Sequence, residues 1–137
     1  ILIKNGQIIG QYCKHHLPNY GIFNEPRIFA SSPIQETPII HQGIALGIII
    51  CEDIWFDDVA QKYIQDGAKI LIVINASPFD TNKHATRIAA VSHINKKYQV
   101  PIVYVNQIGG QDELIFDGGS FILDDQANFI IPPFYWR

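Results

Sequence analysis

Long runs of apolar, mostly β-branched residues alternate along the chain with short polar segments. Three of the runs are continuously apolar rather than alternating, which is typical of strands that are buried on both faces of a sheet. The prolines at positions 33 and 38 precede the first run and predict irregular or edge-strand structure over residues 29–43. The predicted buried strands are residues 43–50, 69–74 and 101–106.

The pattern at both ends of the chain predicts β-hairpins. Asn5 and Gly6 supply the positive φ angles of a two-residue type I′ turn. Residues 1–4 and 7–12 are therefore expected to pair as antiparallel strands. A closing hairpin is predicted across Asp124 and Asp125, with strands at residues 120–123 and 128–131.

Two helices are predicted between the buried strands. Apolar residues recur at helical spacing from Trp55 to Ile64, and Gly67 is the kind of residue that commonly ends a helix. Residues 83–98 carry a second helical pattern, with a basic last turn that suits the helix dipole. The expected inner face of this second helix is Ala85, Ile88, Ala89, Ser92 and Ile94.

This order of elements predicts an α/β fold. A strand–helix–strand–helix–strand order with short connections forms right-handed crossovers and a largely parallel sheet, and the hairpins make that sheet mixed. Functional residues of such sheets gather at the carboxyl ends of the strands. Cys51, Ser77 and Asn106 each follow a predicted strand at that edge. The pattern alone therefore indicates a site there.

The composition narrows the class of protein. The 137 residues carry a formal charge of −3 and no basic run, so neither nucleic acid nor an anionic membrane surface is an expected partner. No apolar run is long enough to span a bilayer. Two cysteines without CxxC spacing favour a reduced, cytoplasmic setting. The chain has no methionine and opens directly on a strand, so we expect its true N-terminus to be missing.

Cys51 is the first candidate for catalysis, and Lys14, at the end of a predicted strand, is considered with it. A cysteine at a strand-to-helix junction lies beside backbone N–H groups, which lower a thiol pKa and can bind an oxyanion. The competing interpretation makes Cys51 a small apolar residue that ends a buried strand, and Lys14 an ordinary solvated lysine. Cys51 is expected to be the reactive thiol. Cys13, at the end of the predicted hairpin strand, is expected to be inert.

Other polar residues leave alternatives open. His15 and His16 are taken as structural because no third ligand lies at a useful spacing, so no metal site is predicted. A Cys–His dyad stays open, since five histidines are present. The stretch from Ser77 to Lys83 either belongs to a site or contains a helix N-cap. Residues 108–119 are glycine-rich but lack the spacing of a phosphate-binding loop.

Five segments of the chain, taken in order, resemble the nitrilase (carbon–nitrogen hydrolase) superfamily. The Lys-x-x-Leu-Pro and Cys-Glu-Asp patterns are typical of the superfamily. The patterns LPNYG and GGQDEL are similar to one branch of it, the glutaminase domains of glutamine-dependent NAD synthetases. The segments are residues 14–25 (KHHLPNYGIFNE), 50–55 (ICEDIW), 75–79 (NASPF), 104–114 (YVNQIGGQDEL) and 116–120 (FDGGS).

The resemblance implies a nitrilase-like α-β-β-α sandwich and a Glu–Lys–Cys triad. Matched by motif, Cys51 is the nucleophile and Lys14 the triad lysine. The general-base glutamate of the family belongs to an upstream strand that this chain lacks. The residues implied to hold substrate are Tyr20, Ser77 and Lys83, with Glu25 as a further acidic residue beside the site.

The function implied is release of ammonia from L-glutamine for NAD biosynthesis, through a thioester on Cys51. Residues 1–137 would form one incomplete domain without a cofactor of its own, since ATP and NAD precursors belong to a synthetase domain absent here. We expect little or no activity from this chain alone, and association into a homo-oligomer or with the missing segment. Two other classes stay open: a carbon–nitrogen hydrolase for another amide or nitrile, and a non-catalytic interaction module derived from an amidase.

Overall fold

The computed structural model describes residues 1–34 and 37–135, which form a two-stranded sheet, a seven-stranded sheet and two α-helices. The helices are α1 (Asp57–Gln65) and α2 (Lys83–Tyr98). The strands are β1 (Leu2–Lys4), β2 (Gln7–Gly10), β3 (Ile39–His41), β4 (Ile44–Ile50), β5 (Ile70–Asn75), β6 (Ile102–Asn106), β7 (Ile108–Gln111), β8 (Leu114–Leu123) and β9 (Phe129–Tyr135).

The large sheet has the order β3-β4-β5-β6-β8-β7, with β9 paired to β8. Its centre is parallel: β5 pairs in register with β4 on one side and with β6 on the other. The outer pairs are antiparallel, and hairpin connections join β3 to β4, β7 to β8 and β8 to β9. The predicted α/β fold with a mixed sheet is confirmed. The predicted edge strand within residues 29–43 is the short β3, while residues 35 and 36 of that stretch lie outside the described residues.

Both predicted hairpins are confirmed. Strands β1 and β2 pair antiparallel across Asn5 and Gly6, whose φ angles are +50° and +76°. Strands β8 and β9 pair antiparallel across a turn that Asp124 organises. Its carboxylate accepts hydrogen bonds at 2.8 Å from the backbone N–H groups of Gln126 and Asn128.

The glycine-rich residues 108–119 form a hairpin, β7 and β8, rather than the expected loop. Asp112 takes a positive φ of +53° in the tight turn between the two strands. Gly118 and Gly119 also have positive φ angles, and the pairing of β8 with β9 shifts register there. Glycines at such irregular positions hide a strand from pattern analysis, because they interrupt the apolar alternation.

The first helix begins later than predicted. Residues Cys51–Trp55 form a 3₁₀ turn, Phe56 is extended, and α1 starts at Asp57. Acidic residues at the start of α1 suit the positive end of the helix dipole. Neither α-helix in the described part of the chain is long and apolar enough to cross a membrane.

The core lies between one face of the large sheet and the two helices. Val59, Ala60 and Tyr63 of α1 are fully buried against it. The buried face of α2 differs from the prediction: it is formed by Arg87, Val91, Ile94 and Asn95, whereas Ala85 and Ala89 are exposed. The sheet residues of this core are Ile49, Leu71, Val73, Ile102, Tyr104, Phe121 and Leu123.

The opposite face of the large sheet is apolar but open. Ile74 is 45% exposed and Val105 is 41% exposed, although both lie on central strands. The prediction that these strands are buried on both faces is therefore wrong for the described residues, which cover only one face. The residues on the open face are nevertheless apolar, as is typical of a sheet face that is covered by another layer. The residues on this face are Ile48, Ile50, Ile72, Ile74, Val103, Val105 and Ile122.

Candidate active site

Cys51 lies at the carboxyl end of β4, where the chain enters the 3₁₀ turn. Its φ of +48° is in the left-handed region, which residues other than glycine, asparagine and aspartate rarely adopt. Backbone strain of this kind persists where the surrounding structure enforces it, and it is concentrated at functional sites. The thiol of Cys51 lines a cavity of about 610 Å³. The position predicted from the strand-end pattern is therefore also a conformationally special one.

Lys14 lines the same cavity as Cys51. Its ammonium donates hydrogen bonds at 2.8 Å to both carboxylate oxygens of Glu25, and both side chains are largely buried. Glu25 opens a one-turn 3₁₀ segment and lines the cavity as well. The structure thus brings together the predicted nucleophile, the predicted lysine and the predicted acidic residue. Glu25 contacts Lys14, so its geometry fits a partner of the lysine better than a ligand of the substrate.

Burial raises the pKa of the Cys51 thiol above its ordinary value. The Lys14 ammonium and a hydrogen bond from the Ala76 backbone lower it, while the carboxylates of Glu52 and Glu25 raise it further. The expected lowering by Lys14 is present, but the cost of removing a thiolate from water exceeds it. In this structure the thiol therefore needs a base before it can act as a nucleophile.

The other cysteine is more accessible than predicted. Cys13 lies beyond the end of β2 rather than within it, and its side chain is exposed. Cys51 is only partly accessible. Exposure favours alkylation of Cys13, and burial disfavours the Cys51 thiolate. From the structure we therefore do not expect Cys51 to be alkylated in preference to Cys13 at neutral pH.

Tyr20, Ser77 and Lys83, the three predicted substrate residues, line a second and smaller cavity together with Cys51. The Lys83 ammonium lies 5.3 Å from the ring centre of Trp55, which also lines this cavity. Lys83 is the first residue of α2, so its backbone is fixed by the helix. Glu25 does not line this cavity in the structure. The small cavity is therefore lined by two hydroxyl groups, those of Tyr20 and Ser77, by the cation of Lys83 and by Cys51.

Glu52 belongs to the site, although the sequence gives no reason to select it. The Tyr20 hydroxyl donates hydrogen bonds at 2.9 and 2.8 Å to its two carboxylate oxygens. Burial and this carboxylate raise the pKa of Tyr20 to about 12. The hydroxyl consequently stays protonated at neutral pH and acts as a donor. Glu52 directly follows the nucleophile, and the 3₁₀ turn places it among the residues that line the small cavity.

Ser77 is held by a buried polar network centred on Arg87. The Arg87 guanidinium donates to the Ser77 hydroxyl at 3.1 Å, and to the backbone oxygens of Ser77 and Pro78 at 2.8 Å each. It also forms an ion pair at 2.9 Å with Asp117. Asn106 accepts a hydrogen bond from the Ser77 N–H at 2.8 Å. These contacts fix the loop that follows β5.

Arg87 was missed because an arginine within a helix is normally taken as solvated. Its guanidinium is instead buried, with 2% of the side chain exposed. The available signal was the cluster of polar residues at three neighbouring strand ends, which implies a buried partner for each of them. Asn106 was placed at the correct edge by the strand pattern, but without a role. Its side chain is buried, and it donates to the backbone oxygens of Ser77 and Gly118.

Asp53 links the Lys14 segment to the Cys51 turn. Its carboxylate accepts hydrogen bonds from the backbone N–H groups of His16 at 2.6 Å and of His15 at 3.4 Å. Burial raises the pKa of Asp53, and these two N–H groups oppose the shift. The chain that carries the lysine is therefore tied directly to the turn that carries the thiol.

The structure supplies a third potential ligand beside His15 and His16, contrary to the prediction. Asp58, at the start of α1, brings a carboxylate oxygen to within 2.9 Å of the His16 Nε2 atom. The three side chains place ligand atoms within 4.8 Å of one another. A sequence separation of more than forty residues conceals this arrangement. His15 and His16 face Asp58, whereas Lys14 shares the large cavity with Cys51.

Comparison with known proteins matches the chain to one family model and to longer relatives. Residues 1–136 match the model of the carbon-nitrogen hydrolase family. The chain is 40% identical over 141 residues to the glutamine-dependent NAD(+) synthetase of Synechocystis sp., a match that covers 95% of this chain and 25% of that protein. The chain thus spans about a quarter of the length of the curated relatives that it matches first.

Solved structures show the same fold. The glutamine-dependent NAD+ synthetase of Acinetobacter baumannii, in complex with ADP, superposes with a TM-score of 0.91 at 37% identity. That match covers 98% of this chain and 26% of the other. A carbon-nitrogen hydrolase from Helicobacter pylori superposes with a TM-score of 0.79 at 24% identity, covering 93% of this chain and 49% of the other. The second likeness concerns the fold alone.

Proposed function

The chain belongs to the carbon–nitrogen hydrolase family, and from this we propose that it is the glutaminase part of a glutamine-dependent NAD synthetase. The observation that carries the proposal is that two cavities share Cys51. One is lined by Lys14, and the other is lined by Ser77 and Lys83. The similarity to NAD synthetases named as glutamine-dependent supports the substrate.

The first chemical step is loss of the Cys51 proton to a base. The raised pKa of the buried thiol makes this step necessary at neutral pH. The two carboxylates that raise the pKa of the Cys51 thiol are already engaged, Glu25 by Lys14 and Glu52 by Tyr20. This supports placing the base on a glutamate upstream of these residues, as the family resemblance implies.

The thiolate then forms a bond to the carboxamide carbon of glutamine, and the carbonyl electron pair moves onto oxygen. We assign to Lys14 the donation of a hydrogen bond to this oxyanion; loss of one such donor typically costs about 2.7–4 kcal/mol. When the carbonyl re-forms, the carbon–nitrogen bond breaks. The nitrogen leaves as ammonia, carrying the proton that the base took from the thiol. Water hydrolyses the remaining thioester, which yields glutamate and restores the thiol.

Recognition of glutamine is assigned to the residues that line the small cavity, whose own volume of about 20 Å³ holds no more than a water molecule. The Lys83 ammonium supplies a cation for the α-carboxylate of the substrate. Ser77 and the protonated hydroxyl of Tyr20 supply neutral hydrogen-bonding groups. The network around Arg87 keeps the Ser77 loop in place while substrate binds and leaves.

We extend the proposal to the setting of the chain. Residues 1–137 form one incomplete catalytic domain, whose chemistry uses side chains alone. ATP and the NAD precursors bind to a separate synthetase domain. Two free cysteines fit a reducing cytoplasm. The open apolar face of the sheet supports assembly with a second layer, supplied by a longer chain or by another copy as a homo-oligomer.

Ammonia release tests this proposal. The longest natural chain that contains these residues should release ammonia from glutamine much faster than from simple aliphatic amides such as propionamide. Cys51→Ala should abolish the release, whereas Cys13→Ala, the matched control, should leave it unchanged. Preference for the aliphatic amides would point to a different carbon–nitrogen hydrolase. Ammonia release that survives Cys51→Ala would refute the proposed nucleophile.

A further inference from the structure

His15, His16 and Asp58 form a compact cluster outside both cavities that Cys51 lines. The His16 Nε2 atom lies 2.9 Å from each carboxylate oxygen of Asp58. The His15 Nε2 atom lies 3.9 Å from the nearer oxygen. The two imidazole nitrogens and the carboxylate thus converge on one point from two separate parts of the chain, the segment after Lys14 and the start of α1.

The environment of His15 fixes the orientation of its ring. The His15 Nδ1 atom is hydrogen bonded to the backbone oxygen of Ser32. A carbonyl oxygen only accepts hydrogen bonds, so Nδ1 must carry the proton. In the neutral ring the lone pair is then on Nε2, the nitrogen that faces Asp58. A histidine whose second nitrogen donates to a backbone carbonyl is the usual arrangement of metal ligands in proteins.

Packing holds the second ring and the backbone in place. The His16 ring stacks on Phe56 with a centroid distance of 3.9 Å. The His15 and His16 rings meet edge-on, with their centroids 4.5 Å apart. The backbone N–H groups of both histidines donate to Asp53. Little conformational freedom would therefore be lost when a ligand binds between these side chains.

We propose that His15, His16 and Asp58 bind a divalent transition-metal ion of the zinc type. Two imidazoles and one carboxylate match the donor preference of zinc, whereas magnesium and calcium prefer oxygen ligands alone. Zinc–ligand bonds of about 2.0–2.1 Å place tetrahedral ligand atoms roughly 3.3 Å apart, so small rotations would close the present spacing. All three side chains are partly exposed, which lets an ion enter and leaves a position for water.

A bound ion would connect the segment that carries Lys14 to the start of α1. That segment is already tied to the Cys51 turn by Asp53. The ion would therefore brace the side of the molecule that holds the catalytic lysine, without touching the cavity in which the reaction takes place. The inference stands on this cluster and does not depend on the identity of the substrate.

Zinc titration tests the site. The whole chain is used with Cys13→Ser and Cys51→Ser as background, because free thiols also bind zinc. Calorimetry should show one zinc ion per chain, and the melting temperature should rise with zinc concentration. Cobalt(II) in place of zinc should give the visible absorption of a tetrahedral site. Asp58→Asn, nearly isosteric, and His16→Ala should each weaken zinc binding by more than the 10- to 100-fold that loss of an outer partner typically costs.

The matched control is His93→Ala. His93 also contacts a carboxylate, that of Asp57 on α1, but it has Lys97 rather than a second histidine beside it. This variant should bind zinc as the background does. The proposal is overturned if the background chain binds no zinc, if Asp58→Asn and His16→Ala bind it unchanged, or if His93→Ala weakens it equally. Equal binding of magnesium at these residues would overturn the assigned class of ion.

Discussion

Replacement of Arg87 with methionine is expected to destabilise the protein by about 3–5 kcal/mol, the usual cost of removing one partner of a buried ion pair. The guanidinium is 2% exposed and donates to Ser77, Pro78 and Asp117. Methionine fills much of the volume, so the loss is mainly polar. The Asp117 side chain keeps 16% exposure. Because water still reaches this carboxylate, a value near 3 kcal/mol is expected.

A double-mutant cycle separates the ion pair from the rest of the network. Asp117→Asn retains an oxygen that can accept from Arg87 but removes the counter-charge of the buried guanidinium, so on its own it should cost about 1.5–3 kcal/mol, the usual worth of a hydrogen bond to a charged group. The double variant leaves neither charge unpaired. Its cost should therefore be smaller than the sum of the two single costs by at least about 1 kcal/mol.

Urea unfolding followed by circular dichroism measures all four free energies, provided that the slope against urea stays constant among the variants. A cost below about 1 kcal/mol for Arg87→Met would contradict the inference that the guanidinium is a buried, paired charge. Strict additivity of the two changes would contradict the ion pair itself. Lys62→Met provides the matched control, since Lys62 pairs with Asp66 at the surface and such pairs contribute about 0–1 kcal/mol.

Three further predictions concern the substrate residues, the Cys51 thiol and the two faces of the sheet. Lys83→Ala should weaken glutamine binding by ~1.5–3 kcal/mol, the worth of a hydrogen bond to a charged group. Lys62→Ala is the control, and an unchanged affinity for glutamine in Lys83→Ala would show that another residue binds the α-carboxylate. In a Cys13→Ser background, Lys14→Met should raise the pKa of Cys51 further, because the ammonium favours the thiolate, whereas Glu52→Gln should lower it. The thiolate fraction grows as the pH rises through the thiol pKa. The pH profile of Cys51 alkylation should therefore move to higher pH for Lys14→Met and to lower pH for Glu52→Gln. An unmoved profile would show that neither charge acts on the thiol. Leu71→Ala should lower the free energy of unfolding by about 2–5 kcal/mol. Ile74→Ala, on the open face of the same strand, should lower it clearly less, and equal losses would mean that the second face is covered.

The sequence predicted the strands, the hairpins and the edge at which the site forms, because these depend on local periodicity and turn chemistry. Asn5 and Gly6 are sufficient to specify their turn. Cys51 and Ser77 could be placed at one edge because parallel strands present their carboxyl ends together. The resemblance then added Lys14, Tyr20, Lys83 and Glu25, which pattern alone does not select.

The missed features depend on contacts between distant segments. Arg87 is indistinguishable from a solvated helix residue until Asp117 and the Ser77 loop are seen around it. Asp58 joins His15 and His16 only through the fold. The raised pKa of Cys51 reflects a balance between burial and nearby charges, which has no signature in the sequence. Glycines hid the first part of β8, residues 114–119, because they break its alternation.

The central claim is that Cys51 attacks the carboxamide of glutamine and carries the resulting acyl group as a thioester. Hydroxylamine intercepts thioesters, so incubation of the longest natural chain containing these residues with glutamine and hydroxylamine measures this step directly. The account predicts that γ-glutamyl hydroxamate accumulates, that Cys51→Ser eliminates it, and that Cys13→Ser leaves it intact. Hydroxamate that forms equally well without the Cys51 thiol, or that forms from propionamide but not from glutamine, would contradict the account.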